Sequence, residues 1–483
     1  MNRALVAAAA LSAAACSFAP AYRRPDAGVP QEYRIAKPGE TASVADLPWW
    51  QLFKDPVLQG LIREALAANQ DLALAVARVE EARANVGIAR ADLYPQIAAR
   101  ANAGYGRIFS DKLVPGTETQ ARYTLGADAS WELDLWGRVR NSRDAAYADL
   151  LATEDGRHAV VLALVSSVAQ AYFELRALDL QLEIARSNTD TRRGTVQLFE
   201  ARARGGVAND LEVNQARSDL AVTEAAIPQT ELFIFMKEHE ICVLLGRAPG
   251  SIARGAALFD TPLAPDVPSG VPAQLLERRP DLLAAEQNII AAGKLVGVAV
   301  ANRLPALTLT GFIALDAHTV PDMFTPGGLA WNVAGGLLAP IFQGGRLVSA
   351  EQAARARLEE AVAAYRKAVE VALQEVADAA AGMVKLREVR AALETQVKAT
   401  TTATRLAKAR YEGGVSSYLE VLDSQRSLFE SELTLASAVR DQMTSIVQLY
   451  RALGGGWQQT EPAPVAPVPA AGQAPAPPPG PAR

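Results

Sequence analysis

Histidine and cysteine are scarce in this chain of 483 residues: three histidines, His158, His239 and His318, and two cysteines, Cys16 and Cys242. The histidines fall in separate segments, two helical and one a loop. None has a partner at the spacing of a metal ligand or a general base. No glycine loop of phosphate-cradling form occurs. An enzyme, a resident metal and a bound cofactor are therefore not expected. Basic runs and basic–aromatic interleaving are also missing, and the formal net charge is −5, so no nucleic-acid partner is expected. Aromatics make up 6% of the chain while half of it is hydrophobic. An alanine-rich composition studded with glutamate and arginine suits long helices.

The N-terminus reads as a secretion signal, residues 1–15. Arg3 gives the positive charge, Ala4 to Leu11 the apolar region, and Ala13-Ala14-Ala15 the small residues before Cys16. The apolar region is too short to span a bilayer, which takes about 20 residues. Cys16 stands where a bacterial lipoprotein is cleaved and acylated, so a covalent lipid is expected there. Ala13 departs from the large aliphatic residue usual at its place. Cys242, in the apolar stretch Ile241 to Leu245, reads as a buried structural thiol.

The chain is an internal duplication. Ala201 to Ala216 (ARARGGVANDLEVNQA) matches Ala409 to Ser424 (ARYEGGVSSYLEVLDS), an offset of 413 − 205 = 208. The same offset relates Gly137-Arg138 to Gly345-Arg346 and Leu245-Gly246 to Leu453-Gly454. Each match is a long helical hairpin with a small tip at Gly205-Gly206 or Gly413-Gly414, where paired glycines permit a tight turn. Leu419, Leu422, Phe429, Leu433, Met443 and Tyr450 place one apolar stripe on the last helix. Val139 to about Arg202 predicts a helix of ~95 Å. Ahead of it, one helix is expected from Leu58 to about Leu93, stopped by Pro95, and another from Ala273 to about Arg303.

Between these helices the period changes from 3.6 to 2. Ile97 to Tyr105 alternate. Tyr123, Leu125, Ala127, Ala129, Trp131, Leu133 and Leu135 share one face of a return strand, with Thr124, Asp128, Ser130, Glu132 and Asp134 on the other. Leu307 to Thr310 and Trp331 to Phe342 repeat the pattern. An apolar face opposite a polar one suits a barrel between lipid and water. Four strands do not close a barrel, and open edges do not occur in lipid. Either the strands make a small soluble sheet or several chains share one barrel, and three chains would give twelve strands. The boundaries expected are an extended segment 16–57, a first repeat 58–250 with a β-hairpin about 96–136, and a linker 251–272. A second repeat 273–457 follows, with a β-hairpin about 305–343. The tail 458–483, rich in proline and alanine, should be disordered.

Cys16 to Pro25, Leu47-Pro-Trp-Trp50, Leu133 to Arg138, Leu276 to Leu282, Pro340 to Gly345, Tyr418 to Leu428 and Ala452 to Trp457 together resemble the TolC-like outer-membrane channels, in particular the OprM-like (NodT) lipoprotein branch. The resemblance implies a mainly α fold with a membrane β-barrel. In it a homotrimer makes a 12-stranded barrel, four strands per chain, continuous with a 12-helix α-barrel. It further implies a passive exit duct in the bacterial outer membrane, with a long periplasmic extension. The implied partners are outer-membrane lipid, a periplasmic adaptor and an inner-membrane RND-type transporter. The same fold also serves type I protein secretion and metal-ion efflux. On this resemblance the adaptor meets the tips at Gly205, Gly206, Val207, Gly413, Gly414 and Val415. The gate falls to Leu419, Glu420, Asp423, Arg426 and Tyr411. Leu419, Asp423 and Arg426 share a helix face by spacing alone. The plainer reading of Asp423 and Arg426 is a surface pair at i, i+3. Ser416 stands where the family often has an aspartate.

Overall fold

The computed structural model describes residues 17–30, 47–107, 119–260, 272–455 and 457. The signal peptide with Cys16 and the proline- and alanine-rich tail lie outside them. The elements run in the order α1 Trp49–Leu52, α2 Pro56–Ala68, α3 Gln70–Ala91, β1 Gln96–Arg107, β2 Thr119–Leu133, α4 Arg138–Arg204, α5 Asp210–Leu244, α6 Leu275–Arg278, α7 Pro280–Ala301, β3 Ala306–Ala317, α8 Val320–Met323, β4 Leu329–Leu338, α9 Arg346–Glu412 and α10 Tyr418–Ala452.

α4 and α9 have 67 residues each, α5 and α10 35 each. At 1.5 Å per residue the longer pair reaches ~100 Å. α4 packs against α5 on one side and α10 on the other, and α9 packs against α10. The four helices thus form a wall in the order α5, α4, α10, α9.

The two helices expected ahead of the strands are each broken. α2 and α3 part at Asn69, and α6 and α7 part at Arg279, both extended in backbone. Asn69 caps α3 by accepting from the Leu72 amide at 2.9 Å, and its side-chain amide donates to the Leu244 carbonyl at 2.9 Å. Arg279 precedes Pro280, which disfavours helical backbone, and its guanidinium donates to the Ala452 carbonyl at 3.0 Å. Leu244 and Ala452 are the last residues of α5 and α10. Each break is therefore stitched to the end of its own repeat's hairpin. Glycine is required beside each stitch. A Cβ on Gly246 would lie 2.1 Å from the Ala68 carbonyl oxygen, and one on Gly454 3.0 Å from that of Arg278.

The main core gathers at this level. Leu58 and Ile62 of α2, Val168 and Tyr172 of α4 and Val447 and Tyr450 of α10 all belong to one buried apolar cluster. Asp55 caps α2 by accepting from the Val57 amide and also accepts from the Tyr172 hydroxyl at 2.7 Å. Cys242 is fully buried, as expected, its thiol 3.3 Å from the Gly250 carbonyl. α4 and α7 carry apolar windows long enough to cross a membrane by length and composition. In α4 that window is 56% buried, so core packing accounts for it.

The four strands form one antiparallel sheet in the order β1-β2-β3-β4. Its register keeps the two faces separate. Ala129 lies opposite Ile97 and Gly311, Leu125 opposite Ala101 and Leu315, and Ile313 opposite Ala127 and Trp331. The other face holds Arg100 paired with Asp128, and Arg122 paired with Asp316. β1 and β4 are the edges, and the outer side of each has no strand beside it among the described residues.

Candidate functional site: the paired hairpin tips

Both hairpins turn by the same backbone device. Gly206 and Gly414 each have φ of +73°, and Gly205 and Gly413 lie near −80° (−82° and −78°). Only the second glycine of each pair uses the left-handed region. The amide of Val207 closes on the Arg202 carbonyl, and that of Val415 on the Arg410 carbonyl, both at 2.9 Å. Val207 is 80% and Val415 72% exposed, so each tip presents a bare apolar residue.

Behind the tips the hairpins share a small core of Val196, Phe199, Val213, Ala216, Ala407, Tyr418, Val421 and Leu422. Phe199 and Tyr418 have ring centres 4.2 Å apart. Tyr411 joins this cluster, and its hydroxyl accepts from the Arg202 guanidinium at 2.8 Å. Burial pushes the Tyr418 hydroxyl pKa up, with Asp219 and Tyr411 adding to it.

About three helical turns past the tips lies a buried ion group that the sequence did not reveal. Asp219 of α5 is 1% exposed, with the Arg192 Nε of α4 at 3.1 Å; Arg192 is itself 3% exposed. Arg192 also donates to the Asp219 carbonyl and lies over the Phe429 ring. Burial pulls the Arg192 pKa down, outweighing the pull of Asp219 in the other direction. Arg426 of α10 donates to Asp219 Oδ1 at 3.0 Å from the solvent side. One carboxylate thus joins three helices. Arg426 reaches across to Asp219, and the surface pair with Asp423 is not its contact.

The expected gate residues separate accordingly. Tyr411 and Arg426 are ties between hairpins. Leu419, Glu420 and Asp423 are exposed, with Leu419 at 58%. Leu419 therefore lies off the buried stripe, which Tyr418, Val421, Leu422 and Phe429 carry instead. Glu420 pairs with Arg410 at 3.2 Å on the surface. No group of three or more His, Cys, Asp or Glu that could hold a metal occurs among the described residues. His158 stacks on Trp457, and His318 lies against the Ala121 carbonyl.

The N-terminal segment reaches the base of the sheet. The Ser17 hydroxyl donates to Asn141 in the first turn of α4 at 3.1 Å. Ala19 sits so close to Gly297 that a Cβ there would meet its amide nitrogen at 2.8 Å. Tyr22 and Arg24 both bind Glu286 of α7.

This architecture has close counterparts. The chain is 35% identical over 457 residues to the outer membrane protein OprJ of Pseudomonas aeruginosa, covering 93% of this chain and 95% of that one. It is 32% identical over 455 residues to the cation efflux system protein CusC of Escherichia coli O6:H1, covering 93% and 98%. The solved outer-membrane channel OprN superposes with a TM-score of 0.85 at 32% identity, covering 92% of this chain and all of that one. A family model described as outer membrane efflux protein matches twice, at residues 61–246 and 271–455. The chain belongs to the outer membrane efflux protein family.

Proposed function

We propose that three copies of this chain form the exit duct of a tripartite efflux pump, joining twelve strands in the outer membrane to a twelve-helix periplasmic barrel. The observation that carries this reading is the open sheet. One face is apolar, the other is polar and ion-paired, and both edges are bare. Unpaired backbone groups in hydrocarbon cost several kcal/mol each, so closure needs further copies. The helical wall also favours further copies, because its flanking helices α5 and α9 leave large apolar side chains exposed: Leu232, Phe235 and Met236 on α5, and Val371 and Val389 on α9. From Tyr123 to Trp131 the apolar face of β2 runs ~26 Å along the strand, which suits the apolar band of a membrane barrel.

Solutes would enter from an adaptor docked at the tips, around Val207 and Val415, delivered by an inner-membrane transporter. Leu419 and Asp423 would form the narrowest rings, and the Arg202–Tyr411 and Arg426–Asp219 ties would hold them closed. Cys16 would carry lipid, a reading supported by the hydrogen bond of Ser17 to Asn141 at the start of α4, shortly after β2 ends. Native mass spectrometry in mild detergent should find three chains. A stable membrane monomer would overturn the duct. Cys16→Ala should abolish palmitate labelling, and persistent labelling would remove the anchor from this reading.

A further inference from the structure

The internal repeat supplies a template for what pairs with the bare edges of the sheet, because β2 and β3 already join one repeat to the next. In the first hairpin Ile97 lies opposite Ala129, and in the second Leu307 lies opposite Leu337. Taking these two pairs as equivalent relates the leaving strands by 307 − 97 = 210 residues and the return strands by 337 − 129 = 208. Pro95 and Pro305, which precede β1 and β3, share the first offset. The left-handed Gly206 and Gly414 share the second.

The seam between repeats pairs Ala129 with Gly311, Leu125 with Leu315, and Thr124 with Asp316. Advancing the β2 positions by the second offset and moving the β3 positions back by the first turns these pairs into a seam between β4 and β1. We infer that β4 of one copy pairs with β1 of the next in this register. Leu337 then lies opposite Ala101 of the partner subunit, Val333 opposite Tyr105 of the partner subunit, and Asn332 opposite Gly106 of the partner subunit. This rests on the trimer proposed above and adds the register to it.

The faces and the exposures are both consistent with it. The first is the alternation of faces. Val333 and Leu337 stand on the apolar face of β4, as Ala101 and Tyr105 do on β1, so the apolar face continues across the seam. A slip of one residue would set apolar side chains against the polar face. The second is exposure. Val333 is 76% and Tyr105 80% exposed in the single chain, and each would cover the other. The same mapping carries Leu133 opposite Leu307 to position 341 opposite position 97. Ile341, at 97% exposed, then meets Ile97 of the partner subunit, and β4 extends beyond Leu338 on assembly.

Paired cysteines in the full chain, oxidised in native membranes and run without reductant, test the register. Directly opposite Cβ atoms lie about 4.5–5.5 Å apart and diagonal ones about 7–8 Å, whereas a disulfide needs about 3.5–4.5 Å. Val333→Cys with Tyr105→Cys, and Asn332→Cys with Gly106→Cys, sample both kinds of antiparallel pair. At least one should give cross-linked dimers and trimers. Val333→Cys with Ala103→Cys, a two-residue slip, should cross-link several-fold less, and the single variants should not cross-link. Stronger cross-linking of the slipped pair overturns the register. So does failure of both matched pairs in a protein that native mass spectrometry finds trimeric. A monomer would instead overturn the trimer itself.

Discussion

At the first tip Asn209 and Glu212 cap each other's backbone reciprocally, at 2.9 and 3.1 Å. At the second tip Ser417 holds the place of Asn209, and its hydroxyl caps nothing. The glycine turns are alike, so the duplication preserved the backbone while the side chains diverged. Tyr411 and Tyr418 replace Ala203 and Asp210, and Arg426 replaces Ser218. These substituted residues point toward the first hairpin and meet Arg202, Phe199 and Asp219 there. The first tip therefore holds its own shape, and the second is held by its neighbour. A hairpin fixed by contacts made elsewhere is the one suited to move when those contacts open.

The sharpest way to break this arrangement is at Asp219. Asp219→Ala leaves Arg192 buried without its counter-charge, and thermal unfolding in detergent should register a loss of about 3–5 kcal/mol. Arg426→Ala should lose only ~1 kcal/mol, because half of that side chain is in solvent and Arg192 still faces Asp219. Equal losses would mean that the three residues do not divide into a buried pair and an outer tie.

Next in size is the turn. Gly414→Ala forces a side chain into left-handed backbone at a cost of about 1–2 kcal/mol. Gly413→Ala should change unfolding by under about 0.5 kcal/mol. Caps come third. Asn209→Ala should cost about 1 kcal/mol, while Ser417→Ala should be nearly silent in the same denaturation assay. A silent Asn209→Ala would end the contrast between the tips.

The smallest effect on stability is expected from Leu419→Ala combined with Asp423→Ala, since both side chains are exposed. Its effect should appear in function: planar-bilayer recordings should show higher single-channel conductance and weaker cation preference. Unchanged recordings from a correctly assembled protein would place the constriction elsewhere.

The hairpins were legible in the sequence because glycines punctuate them twice at one offset. The strands were legible because period 2 is distinct from 3.6. The breaks at Asn69 and Arg279 were not read, because apolar periodicity passes over a break of one residue almost unaltered. A signal was present in the second case, where Arg279 precedes Pro280. The Arg192–Asp219 pair escaped for another reason. Its members sit on two helices, and which faces of long helices meet depends on how the helices wind around each other. Leu419 shares the spacing of the apolar stripe yet stays exposed through the same dependence. Its spacing fits, but the stripe drifts around the helix.

The stitches at Asn69 and Arg279 have a mechanical consequence. They clamp the upper ends of α5 and α10, and from each clamp a rod of ~50 Å runs to its tip. A pivot at such a clamp magnifies angle into travel, roughly 1 Å at the tip for each degree at the base, given that length. Small torques near the middle of the molecule would then be enough to widen an aperture at its far end. The stiffness of two glycine contacts, Gly246 against Ala68 and Gly454 against Arg278, would set how much of that rotation is elastic.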